Sequence, residues 1–266
     1  MERISFTKAV ASGNDFVVIE NRRMAPGAGF KALAQKICNR KYGIGADGLL
    51  VLEKSKIADI RMRVFNTDGS EAEMCGNGAR CTALCLGKKA ARIETKAGII
   101  NAEVDDFKVK IKLTDPTDIK LDISIKVNNR GLTVNFINTG VPHTVVFVEG
   151  LERIDVLNLG RQIRNNKRFA PAGTNVDFTE VLGNDLIAVR TYERGVEDET
   201  LACGTGVVAA ALITDYRLRV TDLNKIKVKT QSSEVLKVYF ERVGSSFENI
   251  WLEGKANIVY KGEYYV

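Results

Sequence analysis

The sequence predicts an α+β protein made of two duplicated, pseudo-symmetric lobes, and three observations carry that prediction. Short β-rich apolar runs broken by turn-forming clusters outnumber helical stretches along the chain. A Cys-Gly-x-Gly motif occurs twice, at Cys75 in EMCGNGARC and at Cys203 in LACGTGVVAAA. The segments leading to each motif also recur in order: SGNDFVVIE is echoed by TGVPHTVVFVE, the helix around Gln35 by DVLNLGRQIRNN, and GIGADGLLVLE by PAGTNVDFTEV. Gly13 and Gly140, and Cys75 and Cys203, keep the same offset to within one residue. A period this long is a duplicated domain and not a solenoid repeat. The boundary is expected near Asp115-Pro116-Thr117, giving an N-terminal lobe over 1–117, completed by a C-terminal strand at about 256–266, and a C-terminal lobe over 118–255.

Taken in order, MERISFTKAV opens as a strand, and RISFTKAVASGNDFVVIENR reads as a hairpin with a Gly-Asn-Asp tip. FKALAQKICNR places Phe30, Leu33, Ala34 and Ile37 at helical spacing. GIGADGLLVLE and DIRMRVFNTDGS return to strand, and NGARCTALCLGKKA is the helix behind Cys75. Strands separated by Gly98 and by the Asp105-Asp106 turn then run to about Pro116. Gly43-x-Gly45 opens no helix and so is no nucleotide fingerprint.

The totals bound the function. At 266 residues the chain buries roughly 70–75% of its unfolded surface, so it folds without staples. Its 39 basic and 33 acidic residues give a net charge of +6, but no basic run or aromatic-interleaved patch points to nucleic acid. No apolar run reaches the roughly 18 residues that span a bilayer. Five cysteines, an odd number, with no secretory or transit segment ahead of them, lead to the expectation of a reducing cytoplasm.

Each Cys-Gly-x-Gly follows acidic residues, Glu71 and Glu73 or Asp198 and Glu199, and precedes small helix-competent residues. That is a thiol at a helix N-terminus, where unsatisfied N–H groups and the helix dipole favour thiolate and can hold a carboxylate. One such thiol suggests a nucleophile. Two, one from each lobe at a shared site, suggest inversion of a carbon: one thiolate removes a proton while the other thiol delivers one from the opposite side. Helix N–H groups aimed at the adjacent carboxylate stabilise the carbanion, so no cofactor is required. Cys81 and Cys85 share a helical face of small apolar side chains, and Cys38 reads as core. With a single His in the chain, no metal site is expected.

FNTDGSEAEMCGNGARC, TGVPH, PAGTNVDF and YERGVEDETLACGTG, in this order, resemble the diaminopimelate epimerase family over nearly the whole chain. The resemblance implies that each lobe is a mixed β-barrel around a central helix. It implies an isomerase that converts LL-2,6-diaminopimelate to the meso form without pyridoxal phosphate, on the route to lysine and peptidoglycan. Cys75 and Cys203 match its acid/base pair, and Gly76, Asn77, Gly204 and Thr205 match the turns whose amides hold the α-carboxylate. Asn14, Asn66, Asn175, Glu193 and Arg194 match substrate-binding positions, and His143 and Glu193 match positions that assist catalysis. A homodimer is the assembly the family suggests. Two departures stand out: Val141 replaces an Asn common before Pro-His, and Gly48 replaces a Gln found in some members. The loop between Glu193 and Cys203 is one residue longer than in some relatives.

Three other readings compete. A proline or hydroxyproline racemase of the same fold would not need a second amino-acid subsite, which Asn66, Asn175 and Arg194 argue for. A thiol redox protein would cycle Cys75 and Cys203 through a disulfide, although the chain lacks Cys-x-x-Cys. A non-catalytic binding protein would tolerate loss of Cys75.

Overall fold

A computed structural model describes residues 3–21, 29–218 and 224–265; the expectations for Met1, Glu2, Arg22 and Val266 lie outside the described residues. The chain divides into two compact units, residues 1–112 with 254–266, and residues 113–253.

The first unit contains β1 (Arg3–Ala11), β2 (Asn14–Glu20), α1 (Phe30–Ile37), β3 (Gly48–Glu53), β4 (Ile60–Asn66), β5 (Glu71–Ala72), α2 (Gly76–Leu86), β6 (Ala90–Thr95), β7 (Gly98–Asp105) and β8 (Lys108–Lys112). The second contains β9 (Thr117–Val127), β10 (Arg130–Asn138), β11 (Pro142–Phe147), α3 (Val156–Arg164), β12 (Asn175–Val181), β13 (Leu186–Glu193), β14 (Asp198–Thr200), α4 (Gly204–Leu218), β15 (Lys225–Lys229), β16 (Val235–Val243) and β17 (Ser246–Lys255). The last strand, β18 (Asn257–Tyr265), returns to the first unit and pairs antiparallel with β1.

Local chemistry sets the boundaries. The β1–β2 hairpin turns on Ser12 and Gly13, whose φ values of 52° and 79° suit a short loop. The turn therefore lies earlier than the expected Gly-Asn-Asp tip, and Asn14 and Asp15 already belong to β2. Helix α1 buries Phe30, Leu33, Ala34 and Ile37 on one face. It stops at Ile37, short of the expected Arg40, because Asn39 offers its side-chain oxygen to the N–H groups of Lys41 and Tyr42 and so competes with the helical ladder. The strand expected from Gly43 begins only at Gly48, since Ile44 and Gly45 donate back to the Ile37 carbonyl at the helix end.

The two units repeat one pairing scheme. β2 runs parallel to β3 with Phe16 opposite Gly48, and β11 runs parallel to β12 with His143 opposite Asn175. β4 is parallel to β6, as β13 is to β15. Each unit is organised around one helix. α2 contacts β1, β2, β3, β4, β6, β7, β8 and β18, and α4 contacts β10, β11, β12, β13, β15 and β16. These helices are enclosed along much of their length by strands, with Ala79 and Ala83 in one and Ala209, Ala210 and Ala211 in the other fully buried, and α2 also buries Asn77, Arg80 and Thr82. Small side chains let strands approach closely. Among the described residues no helix is long and apolar enough to cross a membrane.

Candidate active site

Each central helix begins at a cysteine. Cys75 is the N-cap of α2, with extended backbone (φ −142°, ψ 119°), and its Sγ accepts from the Gly78 N–H at 3.4 Å. Cys203 precedes α4 and receives the Val207 N–H on its carbonyl at 2.9 Å. Gly76 and Gly204 open the two helices, so their N–H groups and those of Asn77 and Thr205 belong to the first turn, which has no intrahelical acceptor.

The acidic residues ahead of each motif clamp the strand that delivers the thiol. Glu71 on β5 pairs with Arg63 on β4 through contacts of 2.7 and 3.0 Å, and Glu199 beside β13 pairs with Arg190 through 2.7 and 2.8 Å. Both are bidentate carboxylate–guanidinium forks, the strong geometry for such pairs. The hydrogen bond from Arg63 holds the Glu71 carboxyl down at about 2 despite partial burial.

The second glycine of each motif is fixed by what lies beneath it. A Cβ on Gly206 would overlap Asp177 Oδ1, and one on Gly78 would stand 3.0 Å from Leu50 Cδ2. Asp177 and Leu50 each lie two residues beyond the first parallel pair of their unit, Asn175 with His143 and Gly48 with Phe16. The two helix starts thus rest on chemically different floors, a buried carboxylate and imidazole under one and Leu50 with Phe16 under the other.

In the first unit, Asn14 donates its amide to Asp47 Oδ2 at 2.9 Å, which turns its Oδ1 toward Cys75 Sγ at 4.0 Å. Asp47 is held in turn by Arg40 at 2.8 Å, which also forks onto Asp15. Lys8, only 7% exposed, meets Asp15 at 2.7 Å. Burial alone would raise the Asp15 carboxyl, but Arg40 and Lys8 hold it well below the usual range. The buried Asn77 side chain points inward and accepts from Arg80 Nη2 at 2.7 Å, which leaves its backbone N–H as the group at the helix start. Asn66 is exposed and bonds Ser70 through both backbone and side chain.

The second unit brings its candidates together. His143 Nδ1 lies 2.7 Å from Asp177 Oδ2, and His143 Nε2 lies 2.9 Å from Thr205 Oγ1. Asn175 Nδ2 stands 3.3 Å from the same Nε2 and donates to the Pro142 carbonyl, while its Oδ1 accepts the Arg194 N–H at 2.8 Å. Thr205 Oγ1 is 3.5 Å from Cys203 Sγ. The Arg194 guanidinium reaches the Ala172 carbonyl at 3.1 Å. Glu193 is half-buried, and desolvation raises its carboxyl.

The expectation that both thiols lean toward thiolate meets a counter-effect at Cys203. That side chain is 8% exposed, and burial, then the negative charges of Glu193 and Asp177, push its thiol well above the ordinary value despite the favourable contacts with Thr205 and the Gly206 N–H. Burial likewise pushes Cys38 and Cys85 up to about 11. At Gly48 a side chain would be tight: a Cβ there would stand 3.0 Å from the Phe65 carbonyl oxygen and 3.3 Å from the Phe16 ring, so those neighbours would have to give by a few tenths of an ångström. Sequence reasoning does not single out Asp177, Thr191 or Asp47. The available signal for Asp177 was an acidic residue inside the otherwise buried run of β12.

Comparison with known proteins follows the same lines. A family model described as diaminopimelate epimerase matches residues 6–118 and 135–259. A protein named diaminopimelate epimerase from Chlorobaculum tepidum is 41% identical over 94% of this chain and 97% of its own length, and one from Aquifex aeolicus is 41% identical over 97% of each. Among solved structures, a phenazine biosynthesis protein of the PhzF family from Bacillus anthracis superimposes with a TM-score of 0.73 at 19% identity, covering all of both chains. A hydroxyproline epimerase from Agrobacterium vitis does so with a TM-score of 0.70 at 17% identity, over 98% of this chain and 92% of that one. At such identities the two structures speak for the fold.

Proposed function

The chain belongs to the diaminopimelate epimerase family, and from that premise we propose that Cys75 and Cys203 are the two proton-transfer groups of a cofactor-independent epimerisation. The protein is an isomerase that interconverts LL-2,6-diaminopimelate and meso-diaminopimelate, a step that serves lysine biosynthesis. The observation that supports the two-thiol reading is that each unit begins its central helix at a cysteine followed by Gly-x-Gly.

In this reading one thiolate takes the α-proton and the other thiol returns a proton to the opposite face, so neither the substrate's carbon framework nor its net charge changes. The developing carbanion is delocalised into the α-carboxylate. The N–H groups of Gly76, Asn77, Gly204 and Thr205 lie in first helical turns and are suited to hold that carboxylate. Asn14, Asn66, Asn175, Glu193 and Arg194 bind substrate, chiefly its distal amino-acid end. Asn175 is held rigidly by Arg194 and Pro142, which suits a group that must discriminate one configuration. His143 and Glu193 tune the thiols. We place the enzyme in the cytoplasm as a homodimer.

Incubation with LL-diaminopimelate in deuterated water under reducing conditions tests the reading. Meso product with deuterium at one α-carbon is expected from the wild type, with loss of turnover in Cys75→Ser and Cys203→Ser. Absence of exchange, or comparable racemisation of proline, would overturn it.

A further inference from the structure

We infer that Asp177, His143 and Thr205 form a proton relay that switches Cys203 between thiol and thiolate, with Asp177 and the Thr205 hydroxyl as positioning residues; this rests on the reading of Cys203 as a proton-transfer group.

The direction of every hydrogen bond in the chain is fixed by its neighbours. Asn175 commits its Oδ1 to the Arg194 N–H at 2.8 Å, and its Nδ2 donates to the Pro142 carbonyl at 3.2 Å. The amide therefore presents N–H, and not C=O, to His143 Nε2 at 3.3 Å. Nε2 must then carry a lone pair, which places the ring proton on Nδ1, against Asp177 Oδ2 at 2.7 Å. With Nε2 an acceptor, Thr205 Oγ1 at 2.9 Å donates to it and keeps its lone pairs for Cys203 Sγ, 3.5 Å away. The donors line up in one sense: S–H to Oγ1, O–H to Nε2, Nδ1–H to carboxylate.

Such a chain can move one proton without any outside reactant. The Sγ–H bond breaks as its proton passes to Thr205 Oγ1, and the hydroxyl proton passes to His143 Nε2. Thr205 ends as it began, Cys203 becomes thiolate and His143 becomes imidazolium. That cation is stabilised by Asp177, whose other oxygen accepts from Thr191 Oγ1 at 2.8 Å. The reverse shift restores the thiol. His143 and Asp177 have no exposed side-chain surface, whereas Thr205 is half-buried, so the imidazole end of the relay is shielded from water. The first unit carries Phe16 and Leu50 at the corresponding register positions, so no imidazole–carboxylate pair stands there.

The titratable groups around Cys203 are Glu193 on β13, Asp177 on β12 and His143 on β11; Leu252 on β17 approaches Gly204 with an apolar side chain. This makes the sign of one substitution decisive. A carboxylate acting only as a nearby negative charge opposes thiolate, so Asp177→Asn would lower the pH at which Cys203 becomes reactive. A carboxylate acting through the imidazolium supports thiolate, so the same change raises it.

The test is the pH midpoint of iodoacetamide labelling at Cys203, read by peptide mass spectrometry in the wild type, Thr205→Val, Thr205→Ser and Asp177→Asn, together with steady-state kinetics. Thr205→Val retains the backbone N–H and β-branching, and Thr205→Ser restores the hydroxyl. The relay requires a higher midpoint in Thr205→Val and in Asp177→Asn and a wild-type midpoint in Thr205→Ser. It also requires kcat to fall about 10-fold to 100-fold in Thr205→Val with KM little changed. A wild-type midpoint in Thr205→Val, or a lowered one in Asp177→Asn, overturns it. Should Asp177→Asn fail to fold, the two Thr205 variants still decide. If the wild type does not exchange deuterium into LL-diaminopimelate, the proposed function fails, while the labelling midpoints still report on the relay.

Discussion

His143 and Asp177 meet at 2.7 Å with no exposed side-chain surface on either. The pair is a structural element as well as a chemical one. A buried carboxylate that loses the Nδ1–H donor of the neutral imidazole keeps a desolvation penalty it cannot offset, so His143→Ala is expected to cost about 1.5 to 3 kcal/mol in stability. Urea unfolding monitored by circular dichroism measures this. A cost near zero would mean that Asp177 is neutralised or solvated in the variant.

The two candidate thiols differ in exposure, Cys203 at 8% and Cys75 half-buried. Alkylation of the ligand-free protein near pH 8 is expected to label Cys75 first. Cys203 lags for two reasons: access, and the burial that keeps its thiol protonated. Time-resolved peptide mass spectrometry reads both sites in one sample. Equal labelling rates would show that Cys203 is far more open in solution than its packing implies.

The Gly-x-Gly motifs make a paired comparison possible. Gly206→Ala drives a methyl into Asp177 Oδ1, which cannot move without breaking its bonds to His143 and Thr191. Gly78→Ala meets the tip of Leu50, a side chain that can change rotamer. Gly206→Ala is therefore expected to destabilise by roughly 1 to 3 kcal/mol and Gly78→Ala by clearly less. Thermal unfolding of the two variants side by side checks the order, and a reversed order would contradict the proposed difference between the two helix floors.

Much of this site is legible in the sequence, because glycine and cysteine at a helix start have a local cause. The start of α2 at Gly76 and the buried face Phe30, Leu33, Ala34 and Ile37 of α1 follow from residue type and period. The strand β9 of the long β9–β10 hairpin is also legible, since TDIKLDISIKV alternates with period two. What could not be read was the floor. Asp177 is far in sequence from His143, Thr205 and Cys203, and only the parallel register of β11 with β12 and the packing of α4 on those strands bring them together. The lengths of α1 and β3 differ from the local pattern for a related reason: the side-chain bonds of Asn39 and the return of residues 44 and 45 onto Ile37 override local propensity.

The Glu71–Arg63 fork gives a pH dependence whose sign can be worked out. The folded carboxyl sits at about 2 against an ordinary value of 4.5, held there by the hydrogen bonds from Arg63 and helped by Lys96. A group depressed in the folded state binds protons less readily there than in the unfolded chain, so its contribution is complete above the ordinary value. It is lost as pH falls through the window between 4.5 and about 2. Glu71→Gln removes the charge at every pH. The variant is therefore expected to be less stable than the wild type by roughly 1 to 3 kcal/mol at pH 7, with the gap closing as pH approaches about 2. Urea midpoints for both proteins across that range measure it. A gap that stays constant with pH would mean that Glu71 supports the strand before Cys75 by shape and neutral hydrogen bonding, and that the ion pair with Arg63 adds nothing.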